Sequence, residues 1–168
     1  PSDKNGVSFS DESEAAAIEF SILNLNVSNI VVCGHSECGA MRAIIEGRSK
    51  VQSPNLKSWL RHGEQALELL KQGITLDNKL SPHNQLSQLN VLLQIDHIKS
   101  YPEVRKRLLE GSLNIQGWWF DIARADVYGF DPIKNKFVII DESFINKFSE
   151  TKNFDFKPIL NTNRIDNK

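Results

Sequence analysis

The sequence predicts an α/β protein in which a mostly parallel β-sheet is flanked by helices. A short β-branched run at 30–33 lies between two segments with helical character, which is typical of a strand buried on both faces in a parallel sheet. A long helical pattern follows at 82–100, and the last part of the chain is rich in strand-forming residues. Helices that alternate with strands in this way indicate the α/β class.

The first half begins with a predicted helix that Ser10 caps and that runs to about Leu25. Acidic residues in its first turn suit the positive end of the helix dipole. The strand at 30–33 comes next. A second helix is predicted over 40–46, with Gly47 as its C-terminal stop.

Apolar residues at helical spacing predict a third helix between Leu56 and Gly73, with Trp59 in the core. The helix at 82–100 follows. Pro102 suits the first turn of a short helix that ends near Gly111.

The C-terminal part is predicted to form strands joined by turns at 131–132 and Asn135. The strands are expected at 113–122, 126–130 and 137–140. No internal repeat marks a second unit, so we expect a single domain over 1–168, with about 150–168 as a loose tail.

Composition excludes several classes of protein. Lys and Arg number 20 and Asp and Glu number 21, so the formal net charge is -1, and no basic excess indicates nucleic-acid binding. No apolar run approaches the roughly 18 residues that cross a bilayer, and residues 1–10 lack the apolar stretch of a signal peptide. Two cysteines favour a reducing compartment. We expect a cytoplasmic protein, with an organelle or a microcompartment also compatible.

Reactive side chains are concentrated at 33–39, where the predicted buried strand ends. Ligands of α/β proteins bind at this end of the strands. His35 and Cys38 form a His-x-x-Cys pair that could bind Zn²⁺, although a catalytic zinc needs three protein ligands. Strand alternation predicts that Cys33 is a small packing residue. The same cluster is also compatible with a structural turn that holds a buried cysteine and a hydrogen-bonded histidine.

Two other chemistries fit the segment less well. A nucleophile elbow built on Ser36 would need its last glycine at position 38, but the glycine stands at 39. A thiol phosphatase would need an arginine six positions after its cysteine, where this chain has Gly39 or Ile44. The phosphatase is set aside, and the serine hydrolase remains the weaker alternative.

The segment 30–41 resembles the second zinc-ligand motif of the β-class carbonic anhydrases. The helix at 14–20 is similar to the one that precedes this motif in the plant and cyanobacterial branch. Later segments are similar to further family landmarks in the same order, and together they span roughly 11–141: 90–95, 101–105 and 117–122. Several motifs in the right order are more specific than one short pattern.

The resemblance implies a zinc ion held by two cysteines and one histidine, of which His35 and Cys38 correspond to the histidine and the second cysteine. It also implies two substrate-binding positions. The Gly39 amide corresponds to a group that borders the substrate pocket. Phe20 stands where plant members commonly carry a pocket tyrosine, so it would supply an apolar wall without a hydroxyl.

The first zinc cysteine of the family lies in a Cys-x-Asp-x-Arg motif that does not occur in these 168 residues. We therefore expect the N-terminal strands to be missing from this chain. The Asp–Arg pair that positions the reactive groups is expected upstream of Pro1, so no catalytic residue is assigned here. The chain alone is expected to be inactive.

The function implied is the zinc-dependent reversible hydration of carbon dioxide to bicarbonate and a proton by zinc-bound hydroxide, in a homodimer or higher homo-oligomer. A non-catalytic relative that serves as an oligomerisation or bicarbonate-binding module is the alternative. His62, His83 and His97 are candidate proton carriers because of the ordinary pKa of histidine. Each is more typical of a surface or hydrogen-bonded histidine.

Overall fold

The computed structural model describes residues 12–145, which form helices packed on a mixed four-stranded sheet. The α-helices are α1 (Glu12–Leu23), α2 (Gly39–Gly47), α3 (Pro54–Trp59), α4 (Glu64–Lys71), α5 (Pro82–Lys99) and α6 (Pro102–Leu109). The strands are β1 (Asn29–His35), β2 (Asn114–Asp121), β3 (Asp126–Asp131) and β4 (Lys136–Ile139). Two short 3₁₀ turns cover Arg48–Lys50 and Leu60–Gly63.

The sheet has the strand order β1-β2-β3-β4, so the predicted α/β class is confirmed. Strand β1 runs parallel to β2, with Cys33 opposite Trp118. The other two pairs are antiparallel, so the expectation of mostly parallel pairing holds for one pair of the described sheet. The reason is local, because the connections at 122–125 and 132–135 are too short for the crossover that parallel strands require.

Helix α5 is the centre of the fold and lies directly on β1 and β2. A Cβ atom added at Gly34 would lie 2.7 Å from Val91 Cγ2, and one added at Gly117 would lie 3.1 Å from Ile95 Cδ1. The two glycines therefore permit a close approach of helix and sheet. On the α2–α4 side of the helix, three leucines are completely buried: Leu86, Leu89 and Leu93.

Among the described residues strand β1 is covered on one face only, which corrects the prediction that it is buried on both. Ile30 and Val32 pack against the core, whereas Val31 is 44% exposed and Cys33 is also exposed. Helix α5 covers one face, and β1 is the edge strand of the described sheet. The prediction that Cys33 is a packing residue was therefore wrong.

The helix predicted between Leu56 and Gly73 is interrupted by the 3₁₀ turn. Gly63 lies against α2, where an added Cβ atom would come within 2.5 Å of Ile44 Cδ1. The turn alters the helical period, so Leu60 is buried while Trp59 is 55% exposed. The placement of Trp59 in the core was wrong for this reason.

Other boundaries agree with the sequence. Helix α2 ends at Gly47, whose φ of 107° suits glycine, and α6 starts at Pro102. The predicted Ser10 cap and the predicted tail at 150–168 lie outside the described residues. Among the helices that the structure describes, none is long and apolar enough to cross a membrane.

Candidate functional site

The loop at 34–38 comprises the last two residues of β1 and the turn that leads into α2, and it is anchored on two sides. The Ser36 N–H group donates a 2.8 Å hydrogen bond to the Phe120 carbonyl, which attaches the loop to β2. The Ser87 hydroxyl donates a 2.8 Å bond to the His35 carbonyl, which attaches it to α5. The loop therefore lies in a defined place at the carboxyl end of the parallel pair.

His35 has one ring nitrogen engaged and one available. Its Nδ1 lies 2.8 Å from the Ser36 carbonyl oxygen. A carbonyl can only accept, so Nδ1 carries the proton and Nε2 of the neutral ring keeps its lone pair. Metal-binding histidines are commonly oriented by such a bond from the other nitrogen. The side chain is exposed, so Nε2 is accessible to a ligand or an ion.

Cys38 and Gly39 lie where the loop enters α2. Cys38 occupies the position before the helix, is partly buried, and its side chain packs against the core cluster beside α2. A Cβ atom added at Gly39 would meet no atom of residues 12–145 within 4 Å, so open space adjoins its backbone in this part of the chain. This opening is compatible with a pocket at Gly39, and the pocket itself remains a prediction.

The donor types of His35 and Cys38 fit zinc, because imidazole and thiolate are its usual ligands. Within residues 12–145, however, no three His, Cys, Asp or Glu side chains lie together as a metal would require. Cys33 does not join the other two. His35 and Cys38 thus lie three positions apart in one turn, their role as metal ligands stays a prediction, and a three-ligand site needs a further donor from outside the described residues.

Glu37 lies between the two candidate ligands in a left-handed conformation, with φ of 55°. Its N–H group donates to Asn84 Oδ1 at 2.8 Å, and its Oε1 accepts from Asn84 Nδ2 at 3.0 Å. His83 Nε2 lies 3.0 Å from the same Oε1, and Arg42 Nη2 lies 2.7 Å from Oε2. Hydrogen bonds from His83 and Asn84 lower the pKa of Glu37.

Sequence reasoning assigned no role to Glu37 or Asn84. The two residues are 47 positions apart, and although Glu37 lies within the motif at 30–41, no sequence pattern links it to Asn84. Only a prediction of how the start of α5 packs against the loop could have paired them.

Ser36 is part of the framework of the loop rather than a nucleophile. It is 4% exposed, and its hydroxyl accepts a 2.9 Å hydrogen bond from the Ile122 N–H group. Within the described residues its hydroxyl has no hydrogen bond to a histidine, since the His35 ring contacts only the Ser36 carbonyl oxygen. The structure therefore does not support the serine-hydrolase alternative.

A cavity of about 480 Å³ lies between α1, α2 and α5. His62 and His97 both line it. Burial lowers the pKa of His97 to about 4 and also lowers that of His62. A pKa near 4 makes His97 a poor proton carrier near neutral pH.

The remaining two predicted residues lie elsewhere. His83 is bonded to Glu37, in agreement with a hydrogen-bonded histidine. Phe20 is 54% exposed on α1 and does not line the cavity among the described residues. Its proposed place in a substrate pocket stays a prediction.

Comparison with known sequences gives a consistent result. The family model for carbonic anhydrase matches residues 4–127. The chain is 35% identical to a carbonic anhydrase of Synechococcus elongatus, over 77% of this chain and 48% of that protein. It is 33% identical to carbonic anhydrase 1 of Escherichia coli O157:H7, over 74% of this chain and 56% of that protein. The chain thus spans about half the length of the curated relatives it matches.

Solved structures support the same grouping. The β-carbonic anhydrase CcaA superimposes with a TM-score of 0.69 at 28% identity, over 82% of this chain and 61% of that one. One of two tetrameric β-carbonic anhydrases of Sordaria macrospora superimposes with a TM-score of 0.62 at 28% identity, over 73% of this chain and 62% of that one. Fold, motif order and family match agree, and the chain belongs to the β-class carbonic anhydrase family.

Proposed function

We propose that the whole protein catalyses the zinc-dependent reversible hydration of carbon dioxide to bicarbonate and a proton. Membership of the family supports this activity, as do relatives that are named carbonic anhydrases. The observation that carries the proposal is the loop at 34–38, which presents a free imidazole nitrogen and a thiol from one anchored turn.

The proposal gives distinct roles to two residues of the loop and to two residues outside it. His35 offers Nε2 and Cys38 offers its sulfur to the metal, while bonds from Ser87 and to Phe120 hold the turn. Zinc, when bound, lowers the pKa of a coordinated water towards neutrality. The Gly39 backbone borders the substrate pocket, and Phe20 contributes an apolar wall.

We further propose that the protein works as a homodimer or a larger homo-oligomer in the cytoplasm. The Sordaria macrospora relatives are described as tetrameric. The exposed face of β1, with Val31 and Cys33, is compatible with a covered surface in such an assembly.

The two cysteines provide a matched test of the metal proposal. In the protein isolated from its source, Cys38→Ser should abolish carbon dioxide hydration and lower the zinc content. Cys33→Ser should leave both close to the parent values, because Cys33 lies outside the ligand loop. The rate is measured by stopped-flow with a pH indicator and the zinc by elemental analysis. Hydration that survives Cys38→Ser would refute the proposal.

A further inference from the structure

We propose that Asn84 is a positioning residue which, by holding Glu37, keeps the His35–Cys38 loop in the conformation that presents both ligands. The inference rests on the proposed metal function of this loop. Its basis is the reciprocal pair of hydrogen bonds between Asn84 and Glu37, which the family resemblance did not predict.

The conformation of Glu37 needs support from outside the loop. A left-handed φ of 55° is unfavourable for a residue with a side chain, by about 1 kcal/mol. Such conformations persist where surrounding contacts determine them. Glu37 separates His35 from Cys38, so its backbone angles set the direction in which the chain leaves one ligand and reaches the other.

Asn84 is placed to supply that support. It is 8% exposed, and its amide uses Oδ1 for the Glu37 N–H group and Nδ2 for the Glu37 carboxylate. Loss of a buried hydrogen-bond partner is costly, so the pair favours this single arrangement. One turn later on the same helix, Ser87 binds the His35 carbonyl and accepts a hydrogen bond from Trp119 Nε1 at 3.1 Å.

The other partners of Glu37 are less suited to this role. Arg42 and Glu37 form an ion pair in which both side chains are more than half exposed, and such pairs contribute little. His83 contacts only the carboxylate. Asn84 alone among these residues binds the backbone of Glu37, and its helix is fixed by completely buried leucines such as Leu86.

The test compares Asn84→Ala with Gln85→Ala, both in the 168-residue chain with Cys33→Ser, in which Cys38 is the remaining thiol. Gln85 is the neighbouring residue, and its amide donates to the Leu80 carbonyl instead of the loop. Two readouts are made on the folded chain: the rate at which Cys38 reacts with a thiol reagent without metal, and the Co²⁺ affinity from the thiolate absorption band. The free energy of unfolding of each variant is also measured. It gives the part of the Cys38 reaction rate that comes from global unfolding, and this part is subtracted.

Asn84→Ala should raise the Cys38 reaction rate and lower the Co²⁺ affinity by about tenfold each, as loss of an orienting partner does at other metal sites. Gln85→Ala should change neither by more than about twofold.

A double variant that exchanges the carboxylate and the amide between positions 37 and 84 tests whether their hydrogen bonds can be restored. Asn84→Asp alone places a second carboxylate against Glu37 and should act like Asn84→Ala. Adding Glu37→Gln restores a donor opposite the new acceptor, while the carboxylate at position 84 still accepts the N–H group of residue 37. The double variant should return both readouts to within about threefold of the parent.

The proposal is overturned if Asn84→Ala matches Gln85→Ala in the rate of Cys38 reaction after correction for unfolding. A parent chain that binds no Co²⁺ agrees with a third donor that lies outside the described residues, and it does not decide the metal function of the whole protein. The Cys38 rates then decide the positioning role by themselves, with the tenfold rise supporting it and an unchanged rate refuting it.

Discussion

At Gly34 the absence of a side chain allows α5 to lie against β1 immediately before the ligand loop. An added Cβ atom would lie 2.7 Å from Val91 Cγ2 and 3.2 Å from Ser87 Oγ. Val91 is almost completely buried, so it has little room to move. Both neighbours belong to the helix that anchors the loop.

Gly34→Ala should therefore lower the free energy of unfolding by about 1 to 3 kcal/mol, because the added methyl group overpacks this contact. Gly39→Ala is the matched control, since no atom of the described residues lies within 4 Å of the added Cβ position. Urea unfolding measures both. Equal stability of the two variants would contradict the close contact of α5 with β1.

His97 should make stability depend on pH. Its pKa falls from the ordinary 6.5 to about 4 on folding, mainly because burial disfavours the charged ring. The unfolded chain therefore binds a proton at a higher pH than the folded chain. The stability that depends on a neutral His97 ring is therefore fully present above pH 6.5. It is lost as pH falls towards 4, because the unfolded chain takes up a proton that the folded chain does not.

His97→Gln should make the stability curve flatter in this window, by roughly 2 kcal/mol at most. His62 contributes in the same direction, because its pKa is also lowered. The comparison uses urea unfolding of parent and variant between pH 4.5 and about 7. Parallel curves would show that His97 has an ordinary pKa in the folded protein.

Among the elements, α5 connects the sheet to the candidate site. Ser87 links the two, because its hydroxyl donates to the His35 carbonyl and accepts from Trp119 Nε1. Ser87 and Trp119 are both almost fully buried. Water therefore cannot easily replace the serine hydroxyl.

Ser87→Ala should destabilise the protein by about 1 to 3 kcal/mol, since it leaves a buried donor and the His35 carbonyl without this partner. Ser21→Ala is a suitable control on α1, where the hydroxyl is exposed and binds only the Ala17 carbonyl of its own helix. Thermal unfolding and tryptophan fluorescence report both changes. A loss no larger than that of the control would mean that water replaces the hydroxyl.

At the scale of the whole molecule, the described fold offers at most two of the three donors that the proposed zinc site needs. His35 and Cys38 come from one turn, and no third donor joins them within 12–145. A two-donor site holds zinc far more weakly than the three- and four-donor sites of zinc proteins.

The 168-residue chain by itself should therefore lose most of its zinc on dialysis and hydrate carbon dioxide poorly. Elemental analysis of the zinc content after dialysis and an assay of carbon dioxide hydration test this prediction. One zinc retained per chain together with rapid hydration would mean that these residues supply a third ligand, and Cys33 would be the first candidate to replace.

The sequence by itself determined the features that depend on neighbours along the chain. The β-branched run at 30–33, the glycine at 47 and the proline at 102 predicted real element boundaries, because propensities and backbone restrictions act locally. The sequence also predicted that His35 and Cys38 lie close together along one short turn, whereas their role as metal ligands stays a prediction.

Tertiary structure alone decided which surfaces are covered and which distant groups meet. The exposure of Cys33 depends on how many faces of β1 are packed, and that of Trp59 accompanies the 3₁₀ turn at Leu60–Gly63, where Gly63 lies against Ile44. The Asn84–Glu37 pair joins residues 47 positions apart. Such contacts follow from the way α5 packs on the sheet, and short-range propensity carries no information about that packing.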